Sequence, residues 1–283
     1  MPITPHELVA DLGSLPQIPH IASQVLRLTV DPDCSVSELQ RLIASDQALA
    51  AQILKIANSA MFGMVREVRT LSQAITTLGL NTVKSVVIAS SAKNLYRHNS
   101  AVFHQMAIWE HSVVTALAGS VLARIFHFPA QDEVFLGGLI HDVGKSVIAM
   151  KYPNRYREII NSIYNGETGD GLKAELDAFG FDHTMVGEAL LDSWNIPRLL
   201  SHCVRWHHCP GNADLENALL TAYIALGNLF AYEVGENIGK PDNFAEIKKD
   251  ALRIIGISEV NLDSQKEIIL DCLEQDKVFI MGF

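Results

Sequence analysis

The sequence is short of positive charge and of cysteine, and each shortage excludes a class of protein. It has 22 lysines and arginines against 32 aspartates and glutamates, which gives a formal net charge of −10. This balance argues against a protein that binds nucleic acid directly through a basic surface. The cysteines show no paired spacing that would indicate a disulfide framework, so we expect a reducing compartment. They are Cys34, Cys203, Cys209 and Cys272.

Long hydrophobic runs are lacking as well. The N-terminus has no basic start followed by an apolar stretch, so it does not resemble a signal peptide. The most apolar segment, residues 218–232, is shorter than the roughly 20 residues of a membrane span, and Thr221, Gly227 and Asn228 interrupt it. It predicts a buried helix. We therefore expect a cytoplasmic protein that does not engage a membrane.

What the chain does contain is 48% hydrophobic residues, arranged mostly with helical spacing. Capping-box patterns begin at Ser35, Thr70 and Ser264, and each precedes apolar residues of a predicted helix. A further helix is predicted over residues 46–61, with Gly63 placed to end it. No stretch alternates apolar and polar residues for long enough to predict a strand. The fold class is therefore expected to be all-α, a multi-helix bundle.

A polar interruption near residue 100 suggests a boundary within the bundle. We predict an N-terminal helical subdomain over residues 1–100 and a second helical subdomain over residues 101–283. The first part contains no cluster of residues typical of metal ligands. The second part contains the histidines on which the functional argument depends.

The most informative motif is a histidine–aspartate pair in the apolar stretch GLIHDVGK, residues 138–145. Burying the carboxylate of Asp142 beside the imidazole of His141 costs several kcal/mol unless the charge finds a partner. A divalent cation accepts both groups as ligands and would remove that cost. The pair therefore predicts a metal site if other parts of the chain supply further donors.

Other histidines stand in segments that could supply those donors. His183 precedes Gly187 and Ala189, small residues that permit close helix packing. His207 and His208 are adjacent in the chain. Neighbouring residues on a helix point about 100° apart, so such a pair, like His141 and Asp142, can bind two neighbouring metal ions or bridge them. Any single histidine of this kind is more often a cap or a hydrogen-bonded core residue, and only the joint pattern favours a metal site. The candidate ligands are His111, His141, Asp142, His183, His207 and His208, with Asn228 as a weak candidate.

Several segments, in order along the chain, resemble the HDOD family, the HD-related output domain of bacterial signalling proteins. The pair at 141–142 resembles the signature of the wider HD superfamily of metal-dependent phosphohydrolases, which have an all-helical fold. The resemblance covers about residues 13–230. The matching segments are LPQIP at 15–19, IASDQAL at 43–49, LKIANSA at 54–60, AITTLG at 74–79, WEHS at 109–112, LIHDVGK at 139–145, DH at 182–183 and WNIP at 194–197.

The resemblance implies a signalling module, because HDOD domains are generally regarded as outputs or adaptors that have lost HD catalysis. Compared with the related HD-GYP phosphodiesterases, the six histidine and aspartate candidates fall where a two-metal site draws its ligands. Two features of those enzymes are missing here. Residues 209–214 (CPGNAD) lack the Gly-Tyr-Pro run, and Asn228 stands where HD enzymes usually have an aspartate. An amide brings no negative charge, so a second cation would be held less firmly.

The leading hypothesis is an HDOD signal-transduction module that binds other signalling proteins, or a nucleotide or phosphate ligand, and retains a metal site with little or no catalysis. The alternative is a metal-dependent phosphohydrolase acting on a nucleotide or another phosphate ester, with Asp142 and Lys145 as catalytic residues. Lys145 could meet a substrate phosphate or could be an ordinary solvated helix lysine. The expected cofactor is one or two divalent transition-metal ions, and iron, manganese, zinc and nickel all suit the donors.

Overall fold

The computed structural model describes residues 3–11, 24–25, 28, 35–58, 67–97, 102–235 and 241–275. Within these ranges the chain is helical and has no strand, which confirms the all-α prediction. The first part contains α1 (Pro5–Asp11), α2 (Val36–Ala44), α3 (Gln47–Ala57) and α4 (Leu71–Arg97). The second contains α5 (Val102–Ile125), α6 (Gln131–Ile140), α7 (Val143–Lys151), α8 (Pro153–Tyr164), α9 (Gly171–Phe179), α10 (His183–Ser193), α11 (Arg198–Trp206), α12 (Ala218–Val234), α13 (Phe244–Ile255), α14 (Glu259–Asp263) and α15 (Lys266–Gln275).

Two helices of the first part begin with the predicted side-chain caps. The Ser35 hydroxyl accepts a hydrogen bond from the backbone N–H of Glu38, and the Glu38 carboxylate accepts one from the backbone N–H of Ser35. The Thr70 hydroxyl likewise accepts from the backbone N–H of Gln73 at the start of α4. These caps satisfy N–H groups that the first turn of a helix leaves without partners.

Two other helix boundaries differ from the predictions. The capping box predicted at Ser264 is wrong, because α15 begins at Lys266 and the Ser264 hydroxyl donates to the carbonyl of Asn261 at the end of α14. The helix predicted over residues 46–61 is α3, which spans Gln47–Ala57. Residues 59–66, the LPQIP segment and the predicted boundary near residue 100 lie outside the described residues.

The centre of the fold is α12, which is buried along most of its length and packs against α5, α6 and α13. This confirms the buried helix predicted for residues 218–232. Helices α5 and α12 approach closely at Gly119 and Gly227, where a Cβ atom on Gly227 would overlap backbone atoms of α5. Buried apolar residues of both parts of the chain form one continuous core. None of the helices in the described ranges combines the length and hydrophobicity that crossing a bilayer requires.

Helix α4 is broken at Gly79, whose backbone has φ 75° and ψ 164°. This region is essentially restricted to glycine, because a Cβ atom would clash with the adjoining backbone. The packing around the position leaves room for a side chain, since apart from the adjoining backbone no atom of the described residues lies within 4 Å of where a Cβ would stand. The strain of a substitution would therefore come from the backbone alone.

We expect Gly79→Ala to lower the free energy of unfolding by about 1–3 kcal/mol, the usual cost of a residue held in such a conformation. Denaturant-induced unfolding would measure it. Gly171→Ala is the matched control, because Gly171 has an ordinary φ and its Cβ would make only a normal contact with the Ile163 side chain. An equal loss of stability in both variants would contradict the strain at residue 79.

Candidate metal centre

The predicted histidine–aspartate pair lies in the buried turn between α6 and α7. His141 directly follows the last residue of α6 and is 0% exposed. Asp142 directly precedes the first residue of α7. One oxygen of the Asp142 carboxylate, Oδ2, is 2.7 Å from Lys145 Nζ and 3.3 Å from His141 Nε2. The same oxygen is 4.0 Å from Nε2 of His111 on α5. The turn therefore presents a carboxylate in the interior of the bundle.

Histidines from two more helices approach the other oxygen of the carboxylate. Asp142 Oδ1 is 3.2 Å from Nε2 of His183, the first residue of α10. It is 3.8 Å from Nε2 of His207, which directly follows α11. The His208 ring lies 5.3 Å from the His183 ring, centroid to centroid. Segments more than 60 residues apart thus meet around one carboxylate.

Hydrogen bonds to Nδ1 fix the orientation of three of these imidazoles. His141 Nδ1 donates to the carbonyl of Gly138 at 2.7 Å, and His207 Nδ1 donates to the carbonyl of Val204 at 2.8 Å. A carbonyl oxygen only accepts, so Nδ1 carries a proton in both rings, and Nε2 is the nitrogen left to bind a metal. His183 Nδ1 bonds to the Glu175 carboxylate at 2.7 Å. Such partners are typical of metal-binding histidines, because they direct the free lone pair towards the metal.

The protonation states of the buried groups are set by burial and by the charges of their neighbours. Burial alone would raise the pKa of Asp142, but His141 and the Lys145 ammonium hold it well below its usual range. Burial and the surrounding imidazoles hold the pKa values of His207 and His208 well below the usual range, so both rings are neutral near pH 7. For His183, burial is outweighed by the Glu175 carboxylate and the pKa rises to about 9. A cation at His183 would therefore replace a proton.

Within the part of the chain that the structure describes, several buried nitrogen and oxygen atoms of the cluster have no hydrogen-bond partner outside the cluster. Buried polar atoms are normally hydrogen-bonded, because desolvating them without compensation is costly. The candidate ligand atoms lie within 4.8 Å of one another in each of two groups that share Asp142. The residues present therefore fit a divalent cation, which neutral imidazoles and a carboxylate bind. The unpartnered atoms are Nε2 of His141, His183 and His207, both ring nitrogens of His208, and Asp142 Oδ1.

Two pairs of the predicted residues are bonded to each other. His111 Nε2 lies 2.8 Å from the side-chain oxygen of Asn228, which only accepts, so His111 donates this hydrogen bond. Burial lowers the pKa of His111 to about 3, so the ring is neutral. Lys145 is only 8% exposed and is paired with Asp142, so it is not a solvated helix lysine. The seven predicted metal candidates all lie at this one site.

Glu175 was missed by the sequence analysis. It is 3% exposed on α9, and its Oε2 accepts hydrogen bonds from both the backbone N–H and Nδ1 of His183. Its Oε1 accepts a bond from the Tyr156 hydroxyl at 3.3 Å. A glutamate in an otherwise amphipathic helix gives no signal of this role in the sequence, because the role depends on how α9 packs.

A narrow pocket opens beside the histidine cluster. Its free volume is about 30 Å³, room for about two water molecules. Burial raises the pKa of Tyr232, one of the residues that line it, to about 12. The lining includes Lys145, Tyr156, Glu175, His183, His208 and Tyr232.

The fold and the site together define an all-helical protein with a buried histidine–aspartate cluster that could bind a metal. The HDOD domain family matches residues 15–210 of the chain, and the chain belongs to this family. This confirms the family predicted from the sequence. An uncharacterised protein of Treponema pallidum (strain Nichols) is 26% identical over 226 residues, and the chain spans 43% of the length of that curated relative and 78% of its own.

Solved structures share the fold. An HDOD domain protein of unknown function from Geobacter sulfurreducens is 21% identical with a TM-score of 0.72, over 98% of this chain and 96% of that one. A protein from Shewanella amazonensis SB2B, provisionally named as a phosphohydrolase, is 23% identical with a TM-score of 0.73, over 95% and 94%. At these identities the likeness establishes the fold alone.

Proposed function

We propose that the chain is an HDOD signal-transduction module that holds a divalent metal at the cluster around Asp142 and acts by binding rather than by catalysis. The ligands would be drawn from the histidines at 111, 141, 183, 207 and 208, with Asp142. The cation would balance the buried carboxylate and engage nitrogen atoms that otherwise have no partner. Separate signalling proteins are the expected partners.

The observation that carries this proposal is the size of the pocket beside the cluster. A free volume of about 30 Å³ admits about two water molecules, whereas a nucleotide needs several hundred Å³. The uncharged side chain of Asn228 also favours a module with little or no catalysis, because a second cation would lack a carboxylate ligand there. We further propose that residues 1–100 and 101–283 are two subdomains of this module.

A metal-dependent phosphohydrolase is the second candidate, and the position of Lys145 favours it. Lys145, His183 and His208 line the same pocket, so a positive charge and candidate ligands face one space. A bound cation would supply Lewis-acid chemistry towards a phosphate ester. Lys145 would add positive charge near the phosphate. This candidate requires the pocket to widen before a substrate enters.

The metal content of protein purified without a polyhistidine tag tests the proposal, together with turnover of cyclic dinucleotides, guanosine tetraphosphate and an aryl phosphate. Bound metal without turnover is the expected result. Turnover that Asp142→Ala abolishes would favour the phosphohydrolase. A metal-free protein whose His141→Ala variant is no less stable would contradict both candidates.

The role of Glu175 leads to a separate prediction. We expect Glu175→Gln to weaken metal binding about 10- to 100-fold, because the neutral amide no longer holds the His183 Nδ1–H with a charged acceptor. Competition with a chelator of known affinity would measure the change. Glu158→Gln, an exposed change on α8, is the control. Unchanged affinity in Glu175→Gln would show that His183 does not depend on this carboxylate for its role.

A further inference from the structure

The two oxygens of Asp142 divide the candidate ligands into two sides. The Oδ2 side contains His111 and His141, and the Oδ1 side contains His183, His207 and His208. A two-metal site would use both sides, with Asp142 as the bridge. The two sides differ in how many of their donors are free.

The Oδ2 side is closed by the protein itself. The Lys145 ammonium occupies Oδ2 at 2.7 Å and supplies a positive charge where a second cation would bind. His111 Nε2 is already engaged in a 2.8 Å hydrogen bond with the side-chain oxygen of Asn228, so a metal ion at this nitrogen would have to displace that bond. Of the two imidazoles described on this side, His141 is the one whose Nε2 has no hydrogen-bond partner outside the cluster. One free imidazole does not hold a divalent cation.

The Oδ1 side is open. Among the described residues, Asp142 Oδ1, Nε2 of His183, Nε2 of His207 and both nitrogens of His208 have no hydrogen-bond partner outside the cluster, and the 3.2 Å contact between His183 Nε2 and Asp142 Oδ1 joins two members of the cluster itself. All four residues are at least nine-tenths buried. They supply three imidazoles and one carboxylate, and four protein ligands is the number found in structural zinc sites. Catalytic zinc sites usually have three, which leaves a position for water.

We infer that this chain binds one divalent cation rather than two, on the Oδ1 side of Asp142, with Lys145 and the His111–Asn228 hydrogen bond in place of a second ion. This inference rests on the proposed metal site and specifies its occupancy. It assigns His183, His207 and His208 as ligands together with Asp142, and it gives His111 a structural role.

Equilibrium dialysis of the tag-free full chain against Zn²⁺, followed by elemental analysis, tests the inference. We expect one zinc per chain in the wild type and in His111→Gln, and none in His207→Gln. His202→Gln is the matched control, because His202 lies on α11 and is buried like His207, but its Nε2 accepts a hydrogen bond from the backbone N–H of Asp214. It should keep one zinc. Thermal unfolding of each variant would establish that it is folded.

The possible stoichiometries separate the inference from the proposed function. Two zinc ions in the wild type and one in His111→Gln would overturn the inference and leave the proposed metal site standing. No zinc in the wild type would overturn the proposed function itself. The double variant Asn228→Asp, Lys145→Gln removes the lysine charge beside Oδ2 and places a carboxylate beside His111, so it should bind two ions. If it still binds one, Asn228 and Lys145 do not exclude the second ion.

Discussion

Asp142→Asn is expected to abolish metal binding and to lower the free energy of unfolding by about 3–5 kcal/mol, the usual cost of breaking a buried ion pair. The carboxylate is the partner of the Lys145 ammonium and the group around which the histidines gather. Without it, the Lys145 ammonium stays buried and loses its ion-pair partner. Denaturant unfolding in the presence of EDTA would measure the change in the free energy of unfolding without any contribution from bound metal.

A double variant separates the two losses. In Asp142→Asn, Lys145→Met neither charge remains, and removing both partners of a buried pair is often neutral for stability. We expect the double variant to recover most of the lost stability while metal binding remains absent. If Asp142→Asn in EDTA is as stable as the wild type, the ion pair with Lys145 contributes nothing to the fold.

Gly144→Ala is expected to cost about 3 kcal/mol, at the upper end of the range for overpacking a buried site. A Cβ atom at residue 144 would overlap the carbonyl oxygen of His183 and lie 2.7 Å from the backbone nitrogen of Gly187. Neither obstacle is a side chain that could rotate away, so α7 and α10 would have to separate. Because α10 begins with His183, we also expect weaker zinc binding in dialysis.

Gly137→Ala provides the comparison for this prediction. Its Cβ would meet Cδ1 and Cγ1 of the Ile224 side chain, in the same core, and no described backbone atom beyond its own helix. We expect a clearly smaller loss of stability, measured by denaturant unfolding under the same conditions. Equal losses in the two variants would mean that the contact between α7 and α10 can relax, and the argument for residue 144 would be wrong.

The sequence predicts the helical class and the candidate ligands for clear physical reasons. Helical spacing and the caps at Ser35 and Thr70 are local signals, and the structure contains both caps. The pair at 141–142 stands out because a carboxylate in an apolar stretch needs a partner. The meeting of His183 with the 207–208 doublet follows only if their helices pack together, which small residues such as Gly187 permit.

What the sequence could not predict depends on tertiary packing. Glu175 lies on a helix whose pattern does not distinguish a ligand-orienting carboxylate from a surface one. Lys145 was open to two interpretations, and only the fold places it beside Asp142. The hydrogen bond between His111 and Asn228 joins residues 117 positions apart, so no local pattern contains it.

The Oδ1 side of Asp142 joins three segments that are distant in the chain: the turn after α6, the start of α10 and the end of α11. A cation bound there would act as a cross-link, since opening any one segment would require releasing the ion. Amide hydrogens in all three should then exchange with solvent more slowly, and together, as free metal rises. Helices α2 and α3 contribute no ligand, and their exchange rates should stay the same.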